Sequence, residues 1–404
     1  MTIYYRFPNV RPLELEKVLD VVKNTIEYVR KYGDKALKEF TKKFDGVDID
    51  TIAIDRQYLL KCCKDLEPGL KKSIDIVHDI LFKIHELHLP KDVIVEVEGV
   101  RLGYVWRSID NVGIYVPGGK KSYPSSLLMA GVPAKVAKVK KMYVASPPMP
   151  DGCVNPAVAY VALKLDVDEV YRIGGAQAIA ALAYGTESVK KVDKIVGPGN
   201  IYVQAAKFLV QDAVAIDGIE GPTELVVVAD ESAEPEMVSI DMMAQAEHGQ
   251  GTFIVLISNS KKLIQEVGKI LEQDKDHDYY IVEVSSIDEA IDIVNTIAPE
   301  HLSLHVAQPQ KYLNYISNVG AISLGKEPPA LIDYIGPNHI LPTNRWATSK
   351  GALSVYDFLK PLSIILDSSS IKREVIQAVL QLAEYEGFKI HSKSIGVRFG
   401  SSPS

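Results

Sequence analysis

The segment IAPEHLSLHV sets Glu300 and His301 side by side, directly after Pro299 and ahead of an apolar alternation typical of a strand. A carboxylate and an imidazole differ in their ordinary pKa, so the pair offers two proton-transfer groups on a backbone that Pro299 restrains. A solvated loop with two polar neighbours is an equal reading of these residues alone. In MMAQAEHGQG, Gln245 and His248 stand three apart at the end of a helical stretch and share one face. A metal-binding pair competes there with a helix C-cap formed by His248 and Gly249. DYIGPNHILPT contributes Asp333 and His339 in a Gly/Pro-rich loop, and EYEGFKIH contributes Glu386 and His391 near the C-terminal end. Asp333, His248 and His391 are oxygen and nitrogen donors acceptable to Zn²⁺, but their scatter along the chain does not show convergence. His85-Glu86-Leu87-His88 is HExH rather than HExxH, since Leu89 stands where the second histidine should be. These residues are expected on the solvated face of a charged helix, and His277 in a solvent-facing charged loop.

Three glycine-rich turns follow short Val/Ile runs and precede helical segments: Val116-Pro117-Gly118-Gly119, Gly174-Gly175-Ala176-Gln177 and Gly197-Pro198-Gly199-Asn200. Glycine lets a backbone approach a ligand closely, and a helix N-terminus can hold an anion. Plain turn chemistry is the alternative for each. None is GxGxxG or GxxxxGK[ST], so a nucleotide site would have a non-standard form.

The elements that must carry these residues follow from the hydrophobic pattern. Helical spacing runs over 13–46, interrupted at Gly33-Asp34, and a second amphipathic stretch covers about 56–88. Residues 93–100 alternate like a strand, and 111–119 read as a buried strand ending in a turn. From 140 to 285, short Val/Ile runs alternate with helix-length segments, which argues parallel α/β sheets in two domains. In such sheets ligands sit beyond the carboxyl ends of strands. Residues 353–404 form a mixed tail, with a helix expected near 371–386 and a strand near 389–399. The 404 residues carry 47% hydrophobic and 24% charged side chains, which excludes a disordered or fibrous chain. A net charge of −7 makes nucleic acid a poor default partner. No apolar run approaches the ~18 residues of a membrane span, and no basic segment followed by an apolar one opens the sequence, so a soluble cytoplasmic protein is expected. Cys62, Cys63 and Cys153 are too few for a disulfide framework and read as small buried or partly buried side chains.

Taken together, VGIYVPGGK, YRIGGAQAIAALAYGT, KIVGPGNIYVQAAK, IDGIEGPTE, AQAEHG, APEHL, NHILPT and LSVYDFLK resemble the histidinol dehydrogenase family over nearly the whole chain. The resemblance implies oxidation of L-histidinol to L-histidine through bound L-histidinaldehyde, with two NAD⁺ and one water. It implies Glu300 and His301 as catalytic residues and one Zn²⁺ per subunit on Gln245, His248, Asp333 and His391. By the same resemblance Thr223, His339 and Glu386, with His301 and the four zinc ligands, contact substrate, and Tyr115, Gln177 and Asn200 contact NAD. The implied architecture is two incomplete Rossmann-like domains with parallel sheets plus a small C-terminal segment exchanged in a homodimer. The expected division is an arm over 1–12, a first domain over 13–114 and 224–353, a second over 115–223, and the exchanged segment over 354–404. The loop from Asp333 to His339 is one residue shorter than expected for the family, Gly249-Gln250-Gly251-Thr252 is also shortened, and Asn344-Arg345 stands where a glycine pair is common. Without the resemblance two rivals stand: a zinc hydrolase using Glu300 and His301, which would turn over without NAD, and a non-catalytic two-domain solute-binding protein, which would not need that pair.

Overall fold

A computed structural model describes residues 3–4, 13–118, 123–249 and 251–399. Gly119, Gln250 and, apart from a two-residue strand, the 1–12 arm lie outside the described residues. The chain divides into two compact units. The first comprises 1–89 and 109–358, the second 90–108 and 359–404.

The first unit is built on two six-stranded sheets. One runs in the order 3–4, 279–283, 253–258, 224–229, 301–305, 321–324, with every neighbour parallel. The other runs 53–54, 169–171, 141–145, 111–115, 194–196, 215–216, parallel except for the antiparallel edge 53–54. Central strands such as Glu224–Ala229 are buried along their whole length, as a parallel sheet covered on both faces requires. The helices between strands start where the sequence caps them. Ser260 and Ser286 accept hydrogen bonds from Leu263 and Glu289 N–H groups, and Pro68, Pro124, Pro156 and Pro235 occupy first helical positions.

The expected break at Gly33-Asp34 is a kink within the helix Leu19–Phe44, where Gly33 takes φ 52°. A Cβ there would lie 2.2 Å from a Glu187 carboxylate oxygen, and Asp34 accepts a 2.6 Å hydrogen bond from the Thr186 hydroxyl, so the kink docks the 186–188 turn. The expected division changes in two places. Strands 53–54 and 111–115 join the sheet of 141–216, so segment 13–114 adds no strand to the sheet of 224–324. Strands Val93–Val97 and Val100–Ser108 pair antiparallel, and the latter also pairs with Leu359–Asp367 in the second unit. That unit continues with helices Arg373–Tyr385 and Lys389–Phe399. The strand expected near 389–399 is therefore a helix. Its Ile390, Ile395 and Val397 are spaced too irregularly to mark either period, and Gly396 lies within the helix without ending it.

Cys62 and Cys153 form a disulfide with Cα atoms 5.5 Å apart, while Cys63 is a buried free thiol. All three are buried, as expected, but two are joined: a separation of 91 residues hid a contact made only in the fold. Closing so long a loop constrains the unfolded chain and stabilises by about 2–4 kcal/mol. Cys153→Ser is expected to lower the melting temperature by a few degrees in a thermal scan, and dithiothreitol to lower that of the parent but not of the variant.

Candidate active site

Helix Ile287–Ile297 ends on Ala298, which takes a left-handed conformation (φ 53°, ψ 59°) ahead of Pro299, where a helix cannot continue. The chain turns there and enters the strand His301–His305, so Glu300 and His301 sit at its amino end. Thr223 immediately precedes the neighbouring strand Glu224–Ala229, also at the amino end. The acid–base pair thus lies opposite the carboxyl ends that the α/β rule favours. The glycine-rich turns do follow carboxyl ends, in the other sheet. A cavity of about 790 Å³ opens between the two, lined by Ile201 at the start of a helix of that second sheet and by Pro222, Glu224, Phe253 and Tyr280 at strand starts of the first.

Glu300 and His301 are 8% and 2% exposed, so they are not the solvated loop pair that their sequence alone allows. His301 Nε2 lies 4.0 Å from Glu300 Oε1 and 3.9 Å from Asp333 Oδ1, beyond hydrogen-bond range of both. Among the described residues its Nδ1 has no hydrogen-bond partner. Burial, then the His248 and His339 imidazoles, push the His301 pKa down to about 3, so the ring is a neutral base at physiological pH. Burial pushes the Glu300 carboxyl well above the usual carboxylate range, and the charges of Glu224, Asp333 and Glu220 add to it. Burial lifts Asp333 to about 6 against the nearby His248, and Glu224 to about 7 against hydrogen bonds from Asn344 and Glu300 N–H groups.

Gln245 lies in the last turn of the helix Pro235–Ala246 and is buried, while His248 lies in the turn beyond it. The His248 Nδ1 donates to the Gln245 carbonyl at 3.2 Å, which leaves Nε2 as the free acceptor nitrogen. This is the outer hydrogen bond that orients a metal-ligating imidazole, and an amide, an imidazole and a carboxylate form a chemically suitable donor set. Among the described residues, however, no three His, Cys, Asp or Glu side chains come together as an ion cage. Asp333 sits in a short helix, Ile332–Ile335, and its carbonyl accepts a 2.6 Å hydrogen bond from His339 Nδ1. Burial lowers the His339 pKa to about 4, and its Nε2 faces the Ser126 hydroxyl at 3.5 Å. Asn338 donates to the Met129 carbonyl at 2.6 Å, so the 333–339 loop is tied to helix Pro124–Val136 of the other half. Glu386 and His391 belong to the second unit. Glu386 caps the helix Arg373–Tyr385, His391 lies in the next helix, and both are exposed.

At the glycine-rich turns much of the structure is close packing. A Cβ on Gly118 or Gly174 would meet Pro147 at 2.6–2.7 Å, and one on Gly197 (φ 116°) would lie 2.2 Å from the Tyr115 carbonyl oxygen. Tyr115 and Gln177 are buried, and the Tyr115 hydroxyl accepts the Gly175 N–H at 3.0 Å. Burial lifts that phenol to about 12. Asn200 caps the helix Ile201–Leu209 through Tyr202 and Val203 N–H groups. These residues form a frame at the carboxyl edge of the sheet, the side on which open α/β sheets bind ligands. Their side chains set the turns.

Sequence reasoning missed several supports. Fully buried Lys207 pairs with Asp217 at 2.5 Å and Glu220 at 3.3 Å and donates to the Gly197 carbonyl at 3.0 Å, while Asp217 accepts the Gly197 N–H at 2.7 Å. This ion cluster fixes the turn before Asn200. His85, expected on a solvated face, is 2% exposed and hydrogen-bonds the backbone of Pro337, which has only a carbonyl to offer. The correction follows from tertiary packing, since the loop bearing Asp333 covers that helix face. His277 is only partly exposed and pairs with Asp274 at 2.9 Å. The one readable signal was a charge opening a buried apolar run, as in Glu224 of ELVVVAD.

Two parallel α/β halves on either side of a cavity, with a buried carboxyl–imidazole pair bonded to Glu224 of its lining, mark the chain as an enzyme. It belongs to the histidinol dehydrogenase family, oxidoreductases of histidine biosynthesis, whose sequence profile matches residues 10–399. It is 56% identical to the histidinol dehydrogenase of Saccharolobus solfataricus, over 98% of this chain and 100% of that one. Identity to the Clostridium acetobutylicum histidinol dehydrogenase is 42%, over 96% and 93%. The crystal structure of histidinol dehydrogenase from Elizabethkingia anophelis superposes with a TM-score of 0.91 at 31% identity, covering 99% of this chain and 98% of that one. Among the described residues no helix is long and apolar enough to cross a membrane.

Proposed function

We propose that this protein oxidises L-histidinol to L-histidine in two NAD-dependent steps through bound L-histidinaldehyde, as a cytoplasmic homodimer with one zinc per subunit. The observation that carries the reading is the buried Glu300–His301 pair, with His301 held neutral and Glu300 held as a weak acid beside it. In the first step His301 takes the carbinol hydroxyl proton while the carbon's C–H electron pair leaves as hydride to NAD⁺. Glu300 then takes a proton from the water that adds to the aldehyde carbonyl, while His301 gives the proton it took in the first step to the carbonyl oxygen and becomes neutral again. The resulting gem-diol is again a carbinol, so His301 repeats its task and the product is the carboxylic acid. A neutral base is needed in both oxidations, and burial keeps His301 in that form.

When bound, NAD⁺ accepts both hydrides, and zinc orients the substrate's imidazole and amine. Gln245, His248 and Asp333 would hold the metal with His391, and Thr223, His339 and Glu386 would complete the substrate contacts. Tyr115, Gln177 and Asn200 would frame NAD in the half built on strands 111–216, facing the substrate half built on strands 224–324. In a homodimer His391 and Glu386 would come from the partner chain. The test is NADH formation from a limiting, known amount of L-histidinol with saturating NAD⁺ and zinc-loaded protein. Two NADH per histidinol is the expected result. One would place product release at the aldehyde, and none would return the weight to the hydrolase or binding-protein readings.

A further inference from the structure

We infer that Glu224 is a positioning residue for Glu300, a carboxylate clasp that holds the backbone from which the water-activating side chain projects and pins the loop beyond it. This inference rests on the role proposed for Glu300. Leu225 and His301 are paired across the two parallel strands, so Glu224 and Glu300 occupy the next rung outward. There the two residues grip each other. The Glu224 N–H donates to Glu300 Oε2 at 3.0 Å, and the Glu300 N–H donates to Glu224 Oε2 at 3.2 Å. Glu300 is thereby left with one uncommitted oxygen, Oε1, which faces His301.

The second Glu224 oxygen has its own task. Oε1 accepts the Asn344 N–H at 2.8 Å. Asn344 and Arg345 both take left-handed backbone (φ 52° and 65°), which disfavours side chains other than glycine. A carboxylate on the Asn344 N–H is a physical reason that this turn can persist without a glycine pair. One side chain therefore ties down the backbone N–H of Glu300 and the turn after NHILPT, while the Glu224 main-chain N–H holds the Glu300 carboxylate. The Glu300 carbonyl is held from the other side by the Ala321 N–H at 2.8 Å, and Gly320 leaves no room to shift, since a Cβ there would lie 2.6 Å from that carbonyl oxygen. With the carbonyl side so fixed, the Glu224 carboxylate is the tie on the N–H side, and losing it frees the Glu300 backbone to turn its carboxylate away from His301. Two buried carboxyls facing each other are costly unless each accepts N–H groups, and here the geometry provides them.

A misplacement of about 1 Å at a reacting group costs roughly 10²-fold in rate. Glu224→Ala is therefore expected to slow NAD⁺-linked oxidation of supplied L-histidinaldehyde about 10²-fold, because that step needs Glu300. Reduction of L-histidinaldehyde by NADH reverses the first step and does not need Glu300, so it should change less than about threefold. Glu224→Gln can accept only through its one amide oxygen and should fall between. A merely structural role would slow both directions alike. Equal loss in the two assays for both variants, or no loss in either, overturns the inference, and Glu224→Gln carries the comparison if Glu224→Ala does not fold. Hydrogen exchange gives a readout independent of turnover. Peptides containing Glu300 and Asn344 should both exchange at least about tenfold faster in the variants, as expected when a protecting partner is lost. Unchanged exchange at both sites sinks the clasp even if the wild-type chain proves inactive on histidinol, whereas a wild-type failure with faster exchange sinks only the reaction assigned to Glu300.

Discussion

Glu300→Gln is expected to leave a folded enzyme that converts L-histidinol to the aldehyde but carries it on to L-histidine about 10³-fold more slowly, the range typical for loss of a general base. The substitution removes the proton acceptor and little else. Its amide oxygen can still accept the Glu224 N–H, so the backbone grip survives. NADH from limiting histidinol should then approach one per molecule on the time scale in which the parent gives two. The pH dependence adds a second check. Glu300 acts in its ionised form, and burial holds its pKa well above the ordinary carboxylate value, so aldehyde oxidation by the parent should rise with pH through that displaced range. In Glu300→Gln that rise disappears. His301 makes no such limb near neutrality, because its pKa lies at about 3.

Stability should move in the opposite sense to activity. A carboxyl whose pKa is raised on folding binds more protons in the folded state than in the unfolded one between the two values. Its contribution is therefore present below the unfolded pKa and is lost as pH rises through the folded one. At neutral pH Glu300→Gln should melt at the same temperature as the parent or higher. A large drop in melting temperature would show that the carboxylate stabilises the fold, and would remove the case for a catalytic base held there at a cost.

Residues differ in how far sequence alone exposes their role. The parallel α/β halves were legible because their strands are short Val/Ile runs between capped helices, a pattern set locally. Glu300 and His301 were legible as a chemical pair, yet their burial was not, since it depends on a strand entering the sheet after Ala298 turns left-handed. The glycine turns were visible and their meaning was mixed: Gly174 and Gly197 are required by Pro147 and the Tyr115 carbonyl, neighbours distant in sequence. Glu224, Lys207 and His85 were hidden for one common reason. Each is polar, each is buried, and its partner is supplied by another segment, so local pattern reads it as surface. The family resemblance carries ligand identities that no spacing in this chain reveals.

Subunit mixing should restore activity to two dead enzymes. His391→Ala removes a proposed zinc ligand from the second unit, and Glu300→Ala removes the water-activating group from the first. Around Glu386 and His391 the helices Arg373–Tyr385 and Lys389–Phe399 leave Leu382, Tyr385, Phe388, Ile390 and Val397 exposed, with Tyr385 at 90%. A contiguous run of large apolar side chains of this kind is what an exchanged segment buries against a partner. If it does, a mixed dimer contains one site with Glu300 from one chain and His391 from the other, intact in every residue, and a second site lacking both. Random re-pairing of equal amounts makes half the dimers mixed, so recovery of about a quarter of the parental activity is expected. If instead each chain completes its own site, every site in the mixture lacks one residue and no activity returns. Mass spectrometry of the intact dimers confirms that chains have exchanged. Exchange without recovered activity would place Glu386 and His391 in the site of their own chain, and would make the apolar helices a surface for something other than a second copy.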